Sequence, residues 1–454
     1  MIPEEIIDRV RLTAKVAEVV EDSGVHLKAE GRTLSACCPF HSEKTPSFKV
    51  SISKNTWHCY GSCQEGGDAI SYVMKRESLS FIDAVKFLAK RYNIDIEEER
   101  ESEEQKQARL RREALLALNH RVMMFFVSNL LKSIEPLAYI EKRFNQEFVR
   151  ESFFGFAPDS FDALYSWATK KNENIEFMLM LGLLKQNDET GRIYDAFRNR
   201  IMFPIFNRSH QVIGFTGRTL AKDDKSPKYI NSPESEIYHK SKSIYGINIA
   251  IPEGRKKDFF YCVEGSPDAA KMQSVGILNT VAALGGGWTP DQLKILHALS
   301  PTVCFINDAD VIKEGQQWPT GISLVMRKGE KAWREGLQVN VRELLPLKRG
   351  KQKRDPGDFF TSEDALNDEK NLLPAQNFIV WYARKIFSKS KNTSEYTQCV
   401  KEIARLISFI KDDTEQQVVI GDVNAHYVRN KNLLQSCVDK EKIERRREKT
   451  KDRS

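Results

Sequence analysis

The chain has 454 residues, 41% hydrophobic and 29% charged, with a formal net charge of +7. That length holds two to four domains and at least one sizeable core, and the composition is that of an ordinary globular protein. No uninterrupted apolar run approaches a membrane span, and Met1-Ile2-Pro3-Glu4-Glu5 carries no basic segment leading into an apolar one. Neither a membrane protein nor a secreted one is therefore expected.

Residues 1–96 read as a small domain with helical periodicity at 4–17 and 70–91. In the second stretch Ile70, Val73, Met74, Phe81, Ala84, Val85 and Leu88 recur at core spacing. Between the helices lie Cys38-Pro39-Phe40-His41 and Cys59-Tyr60-Gly61-Ser62-Cys63, two close pairs of soft ligands set among turn formers. Cys38, His41, Cys59 and Cys63 can wrap one tetrahedral zinc ion, and four protein ligands leave no open position for water. The spacing thus predicts a structural zinc ribbon, with strands at 45–50 and 54–59. Cys37 and His58 are read as non-ligands. Phe48 and Trp57 can stack unpaired bases or form the ribbon's small core, and the core is favoured. Cys262, Cys304, Cys399 and Cys437 are isolated in apolar segments and read as small buried hydrophobes. A thiolate zinc site with no export signal points to a reducing cytoplasm.

Residues 97–113 are almost wholly charged or polar and predict a solvated helix or flexible linker. A second unit, 114–252, opens with helical segments at 115–131 and 136–143. It then turns strand-like at 201–206 and 212–219, joined by Asn207-Arg208-Ser209-His210. A third unit, 253–365, alternates short apolar strands (259–264, 280–283, 303–307) with helical patterns (269–275, 290–299). This alternation predicts a mostly parallel sheet with crossover helices. Residues 366–437 read as a helical subdomain, and 438–454 as a charged, disordered tail. The expected class is α/β and α+β multidomain.

In the third unit one apolar strand ends at Glu264 and another at Asn307-Asp308-Ala309-Asp310. Ligands gather at the carboxyl ends of parallel strands. Glu264, Asp308 and Asp310 are therefore expected to converge, with Asp308 and Asp310 on one side by strand alternation. Converging carboxylates need compensation, which magnesium or manganese supplies. A lone Asp-x-Asp can equally be a solvated loop.

The run Cys38-Pro39-Phe40-His41-Ser42-Glu43-Lys44-Thr45-Pro46-Ser47-Phe48, followed by His58-Cys59-Tyr60-Gly61, resembles the zinc-binding domain of bacterial DnaG-type DNA primases. Phe203-Pro204-Ile205, Val212 to Arg218 and Pro227 to Glu234, then His239-Lys240 and Ile244-Tyr245-Gly246, resemble that family's polymerase core. Val263 to Asp268 and Asn307 to Asp310 resemble its Toprim metal-binding module. The likeness runs from residue 1 to about 365.

The resemblance implies that Glu264, Asp308 and Asp310 are the principal metal-binding and catalytic acids. It adds Asp268 one helical turn on and the downstream pair Asp355 and Asp358. It implies that Arg143, Arg218, Lys228 and Lys240 line the template and nucleotide site, gripping phosphates without reading bases. Tyr229 and Asn231 read equally as nucleotide-positioning groups or as a packed aromatic and a turn cap.

The chain departs from the family pattern in four places. Cys59 and Cys63 are one residue further apart than usual. Ala309 stands where glycine is usual. Val311 to Gln316 reads as an insertion, of the kind expected in a phage or mobile-element lineage. Gly357 widens the downstream acid pair. The expected activity is synthesis of short RNA primers on single-stranded DNA from ribonucleoside triphosphates, by a monomer. A dedicated helicase-binding domain is expected to be short or absent, though a replicative helicase remains a candidate partner. The competing readings are a Toprim-type nuclease and a non-catalytic DNA-binding relative.

Overall fold

A computed structural model describes residues 2, 4–31, 33–77, 79–95, 102–221, 227–285, 287–310, 312, 315–345, 354–368, 370–428 and 430–451. The chain divides into two compact units, one ending at Leu110 and the other beginning at Arg111.

The first unit carries helices α1 (Glu4–Thr13), α2 (Val16–Asp22), α3 (Ala69–Arg76) and α4 (Phe81–Arg91). They flank an antiparallel sheet of β1 (Lys28–Glu30), β2 (Thr33–Ala36), β3 (Phe48–Ser51), β4 (Thr56–Cys59) and β5 (Gly66–Gly67), in that order. Each predicted helix is in fact two. The second breaks because the Ser80 hydroxyl accepts from Asp83 N and so starts a new helix, an N-cap that apolar periodicity alone does not reveal. Phe81 then lies outside the core and is exposed. Phe48 and Trp57 are buried and stacked, with ring centroids 5.3 Å apart, so they form the ribbon's core. Of the charged stretch 97–113, residues 97–101 lie outside the described residues. From Glu103 it is helical, as the start of α5 (Glu103–Lys132).

α5 is long and apolar enough, by length and composition, to cross a membrane. Yet Leu115, Leu118, Val122, Phe126 and Leu130 make one buried stripe, and the Phe126 ring meets Phe215 edge-on at 5.5 Å. It is a core helix. Four short helices follow: α6 (Ile134–Arg143), α7 (Gln146–Glu151), α8 (Ala163–Lys170) and α9 (Ile175–Met180). With them come β6 (Gly155–Ala157) and the hairpin β7 (Leu184–Gln186) and β8 (Ile193–Asp195). β9 (Arg200–Phe206), β10 (Val212–Thr219) and β11 (Tyr229–Asn231) join β6 in an antiparallel sheet of order β11-β10-β9-β6.

A six-stranded sheet follows, built from β12 (Ile244–Tyr245), β13 (Phe259–Val263), β14 (Thr280–Ala283), β15 (Thr302–Asn307), β16 (Gln338–Glu343) and β17 (Gln376–Asn377). Its order is β12-β14-β13-β15-β16-β17, parallel in the middle and antiparallel at both edges. The connections are α10 (Ile247–Lys257), α11 (Ser266–Ser274), α12 (Pro290–His297), α13 (Thr320–Arg334) and α14 (Pro356–Phe359). Alternation divides this sheet between two cores. Tyr261, Val263, Cys304 and Ile306 face the core shared with α5 and β9. Phe260, Cys262, Val303 and Phe305 face the core built with the C-terminal helices.

Those helices are α15 (Phe378–Phe387), α16 (Thr393–Ile407), α17 (Asp413–Val423) and α18 (Lys431–Lys451). The tail expected to be disordered from residue 438 is helical to Lys451, with residues 452–454 outside the described set. Val438 is buried, Arg445 donates to Ser408 O at 2.8 Å, and its guanidinium lies 3.7 Å over the Phe409 ring. Long charged side chains can pack along their stems, which a count of charges misses.

Candidate metal centres and nucleic-acid interface

In the ribbon, Cys38 and His41 follow β2, Cys59 ends β4, and Cys63 closes the next turn. Ligand atoms of Cys38, His41, Cys59 and Cys63 all lie within 4.8 Å of one another. The Cys38–Cys63 Sγ separation is 3.6 Å, and Cys59 Sγ lies 4.0 Å from His41 Nδ1. A tetrahedral zinc thiolate site has ligand–ligand edges of about 3.8 Å, so the four fit one ion.

Glu43 orients this set. Its Oε2 faces His41 Nε2 at 3.0 Å, which leaves Nδ1 for the metal, and its Oε1 accepts from Cys38 N at 2.6 Å. Hydrogen bonds, first from the Ser47 hydroxyl, hold the Glu43 carboxyl down at about 2. Nothing in the spacing of the ligands pointed to Glu43. Gly61 admits no side chain, since a Cβ there would lie 2.5 Å from Ser47 Oγ and 2.8 Å from His41 Nε2. Cys37 is exposed and lies outside the cluster, and His58 packs instead on the Tyr60 ring at 4.5 Å.

In the larger unit a cavity of about 410 Å³ lies at the carboxyl ends of β13 and β15. Glu264 leaves β13, Asp308 leaves β15, Asp268 sits in the first turn of α11, and Asp355 caps α14. All four line the cavity, as do Arg143, Lys228, Tyr229 and Asn231. Asp355 is brought there by an antiparallel bridge between Ala309 and Arg354, with N–H···O distances of 2.8 and 3.1 Å. Gly357 must be small, because a Cβ there would lie 2.6 Å from Asp268 Oδ1 and 2.8 Å from Arg143 Nη2.

Asp268 is only 9% exposed. Its carboxyl is pushed up to about 8, first by burial and then by Asp355 and Asp308, while Arg143 and the Gly357 N–H pull it down. Burial first and the neighbouring carboxylates second thus favour the protonated form of Asp268, and hard cations bound there would favour the charged form instead. The oxygen donors therefore fit magnesium or manganese.

Two predicted acids stand apart from the cavity lining. Asp310 accepts from Gly321 N at 3.1 Å, at the start of α13. Asp358 has a side chain 68% exposed and lies 3.9 Å from Arg143 Nη2. Of the segment after Asp310 that reads as an insertion, Val311, Lys313 and Glu314 lie outside the described residues.

Of the predicted cations, Arg143 and Lys228 line the cavity, while Lys240 and Arg218 stand beside its lining residues Gly285 and Tyr229. Arg143 ends α6, and Lys228 precedes β11. The Lys240 stem crosses Gly285, where a Cβ would lie 2.3 Å from Lys240 Cε. Arg218 stacks 4.7 Å from the Tyr139 ring centroid, and its buried Nε and Nη1 have no hydrogen-bond partner among the described residues. Such a guanidinium suits a phosphate, which it can fork. Tyr229 has its hydroxyl pKa raised, chiefly by burial, and feels Arg218, Arg143, Asp268 and Asp355. Asn231 accepts from the Thr216 hydroxyl at 2.7 Å.

Two contributors escaped the sequence reading. Buried Arg200 donates to Gly217 O and Pro227 O at 3.1 and 2.9 Å and so fixes the approach to Lys228. Lys328 of α13, 8% exposed, faces Glu264 and Asp308. A charge within the apolar stripe of α13 was the available signal for Lys328.

Known proteins of similar sequence and fold are DNA primases. Residues 2–104 match the "CHC2 zinc finger" family, and residues 125–251 match "DNA primase catalytic core, N-terminal domain". A DNA primase of Halalkalibacterium halodurans is 33% identical over 423 residues, covering 91% of this chain and 67% of that protein. One from Clostridium acetobutylicum is 32% identical over 427 residues, covering 93% and 68%. Among solved structures, the Aquifex aeolicus primase, comprising zinc-binding and RNA polymerase domains, aligns at 27% identity. It covers 94% of this chain and 98% of that one, with a TM-score of 0.57. A DnaG primase catalytic domain bound to single-stranded DNA aligns at 26% identity, covering 69% and 96%, with a TM-score of 0.58.

Proposed function

The chain belongs to the family of bacterial DNA primases, and we propose that it joins ribonucleotides into primers at the acidic cavity between β13 and β15. Primer synthesis is the activity of that family, and the core fold of this chain is that of its catalytic domain. The observation that carries the assignment of the site is the convergence of Glu264, Asp268, Asp308 and Asp355 on one cavity whose wall also holds Arg143 and Lys228.

In this reading Glu264, Asp308, Asp268 and Asp355 hold the divalent cations, and Asp310 fixes the start of α13 beside them. When bound, magnesium or manganese lowers the charge cost of the attacking hydroxyl and the departing pyrophosphate. The 3′ oxygen of the growing primer forms a bond to the α-phosphorus of the incoming ribonucleotide, the bond to pyrophosphate breaks, and the hydroxyl proton leaves to solvent. Arg218 forks phosphate oxygens, while Lys228 and Lys240 hold phosphates as point charges. Arg143 stands beside Gly357, where a Cβ would lie 2.8 Å from its Nη2, and lines the same cavity as the acids. The ribbon holds one structural zinc and contributes to the choice of start site. Single-stranded DNA is the template, as it is the ligand of the DnaG catalytic domain that this core resembles. The thiolate site fits a reducing compartment, the cytoplasm.

The test is synthesis of labelled RNA on single-stranded DNA with magnesium or manganese, comparing wild type with Asp308→Ala. Short RNA from the wild type and a loss of at least about 100-fold in the variant are expected, with template binding retained. Template cleavage in place of synthesis would move the assignment to a nuclease. Tight DNA binding with no product from the wild type would favour a binding protein.

A further inference from the structure

α13 places a lysine among the acids. Gly321, Val325 and Lys328 share one buried face of this helix, at the spacing of successive turns. Gly321 abuts the Asp308 carbonyl, where a Cβ would lie 2.3 Å from the oxygen. Because β15 and β16 are parallel and α13 connects them, α13 runs back along the sheet, with its start near Asp308 and its end far from it. Lys328 sits two turns along, and helical side chains lean toward the helix start. Its stem therefore returns toward Asp308. The Lys328 Cε lies 3.7 Å from where a Cβ would stand on Gly287. Burial is the largest influence on this lysine and lowers its pKa; the charges of Glu264 and Asp308 and the Cys262 thiol act against that lowering, and Arg327 of its own helix adds to it. Among the buried residues of α13 it alone is charged. Burying an uncompensated ammonium costs several kcal/mol, and Glu264 and Asp308 offset part of that cost.

We propose that Lys328 is a built-in counter-cation of the acidic cluster, a positioning residue that draws Glu264 and Asp308 together before a divalent cation arrives and weakens their hold on that cation by charge repulsion. The proposal rests on the reading of this cluster as the metal centre. Its consequence is that the acids alone bind the cation loosely and retain it firmly only when a nucleotide triphosphate adds its own oxygens, in keeping with the way magnesium is commonly held.

The test uses the full chain with zinc bound. Manganese binding is measured by electron paramagnetic resonance, without nucleotide, on wild type, Lys328→Met, Lys328→Arg and Asp308→Asn. Lys328→Met should bind manganese at least about tenfold more tightly than wild type, Lys328→Arg within about twofold of it, and Asp308→Asn more weakly. Equal or looser binding by Lys328→Met, with binding weakened in Asp308→Asn, overturns the role of Lys328 and leaves the metal centre standing. Binding that is unchanged in Asp308→Asn overturns the metal centre itself. If Lys328→Met fails to give a native near-ultraviolet circular dichroism spectrum, Lys328→Gln takes its place with the same expected gain.

Discussion

The four ribbon ligands come from residues 38–63, and their ligand atoms lie within 4.8 Å of one another. The four acids lining the cavity come from residues 264–355 and depend on strand register, a helix start and the Ala309–Arg354 bridge to meet. The ribbon assembles soft ligands through a local hairpin, and Glu43 orients them through short hydrogen bonds. The cavity buries and assembles like charges through the tertiary fold, and burial first, then Asp355 and Asp308, push the Asp268 carboxyl up to about 8. A closed, local site can be completed by its metal, whereas an open, long-range site needs protein cations and a shared proton to exist without one.

The largest way to break this contrast is to remove a ribbon ligand. Cys59→Ser should abolish stoichiometric zinc binding and leave the first unit sensitive to protease, because structural zinc contributes on the order of 10 kcal/mol to such folds. Zinc analysis and limited proteolysis check this, and the unit from Arg111 onward should keep its own melting transition. A resistant, zinc-free first unit would show that its helices hold it without metal.

A smaller change sharpens the ribbon side. Glu43→Gln keeps the shape but loses the charge that faces His41 Nε2. Zinc affinity should fall about 10- to 100-fold, as for other groups that orient a ligand, measured by competition with a chelator.

The smallest expected effect tests the cavity side. Asp268 has a folded pKa of about 8 against the ordinary 3.8, so the folded state binds the extra proton. Its stabilising effect is fully present below about pH 4 and is lost as pH rises toward and through 8. Without divalent metal, Asp268→Asn should therefore match wild type near pH 4 and melt a few degrees higher near pH 8. Melting curves across that range check this. A gain that is constant with pH would place the effect in packing rather than charge.

Much of this was legible in the residues. The strands ending at Glu264 and Asp308 were plain because a short apolar run flanked by turn formers has few other readings. The break at Ser80 and the helical tail were less plain, because a cap and a packed arginine stem act through single contacts that periodicity averages away. Asp308 and Asp310 looked equivalent by alternation. Yet α13 presents a free N–H at Gly321 to one of them only, so Asp310 turns to the helix while Asp308 lines the cavity.

By itself, the sequence determined the soft ligand set, the mostly parallel sheet and the acids that end two of its strands, because these follow from residue type, spacing and strand period, while Asp268 and Asp355 were named only through the family resemblance. The tertiary structure alone decided which acids share a cavity, that Asp355 joins them, that Arg218 stacks on Tyr139 and that Lys328 faces Glu264 and Asp308. Those outcomes depend on the register between strands and on where a helix lands on a sheet. They are set by the packing of residues about 20 to 90 positions apart in the chain, and no local pattern carries that information.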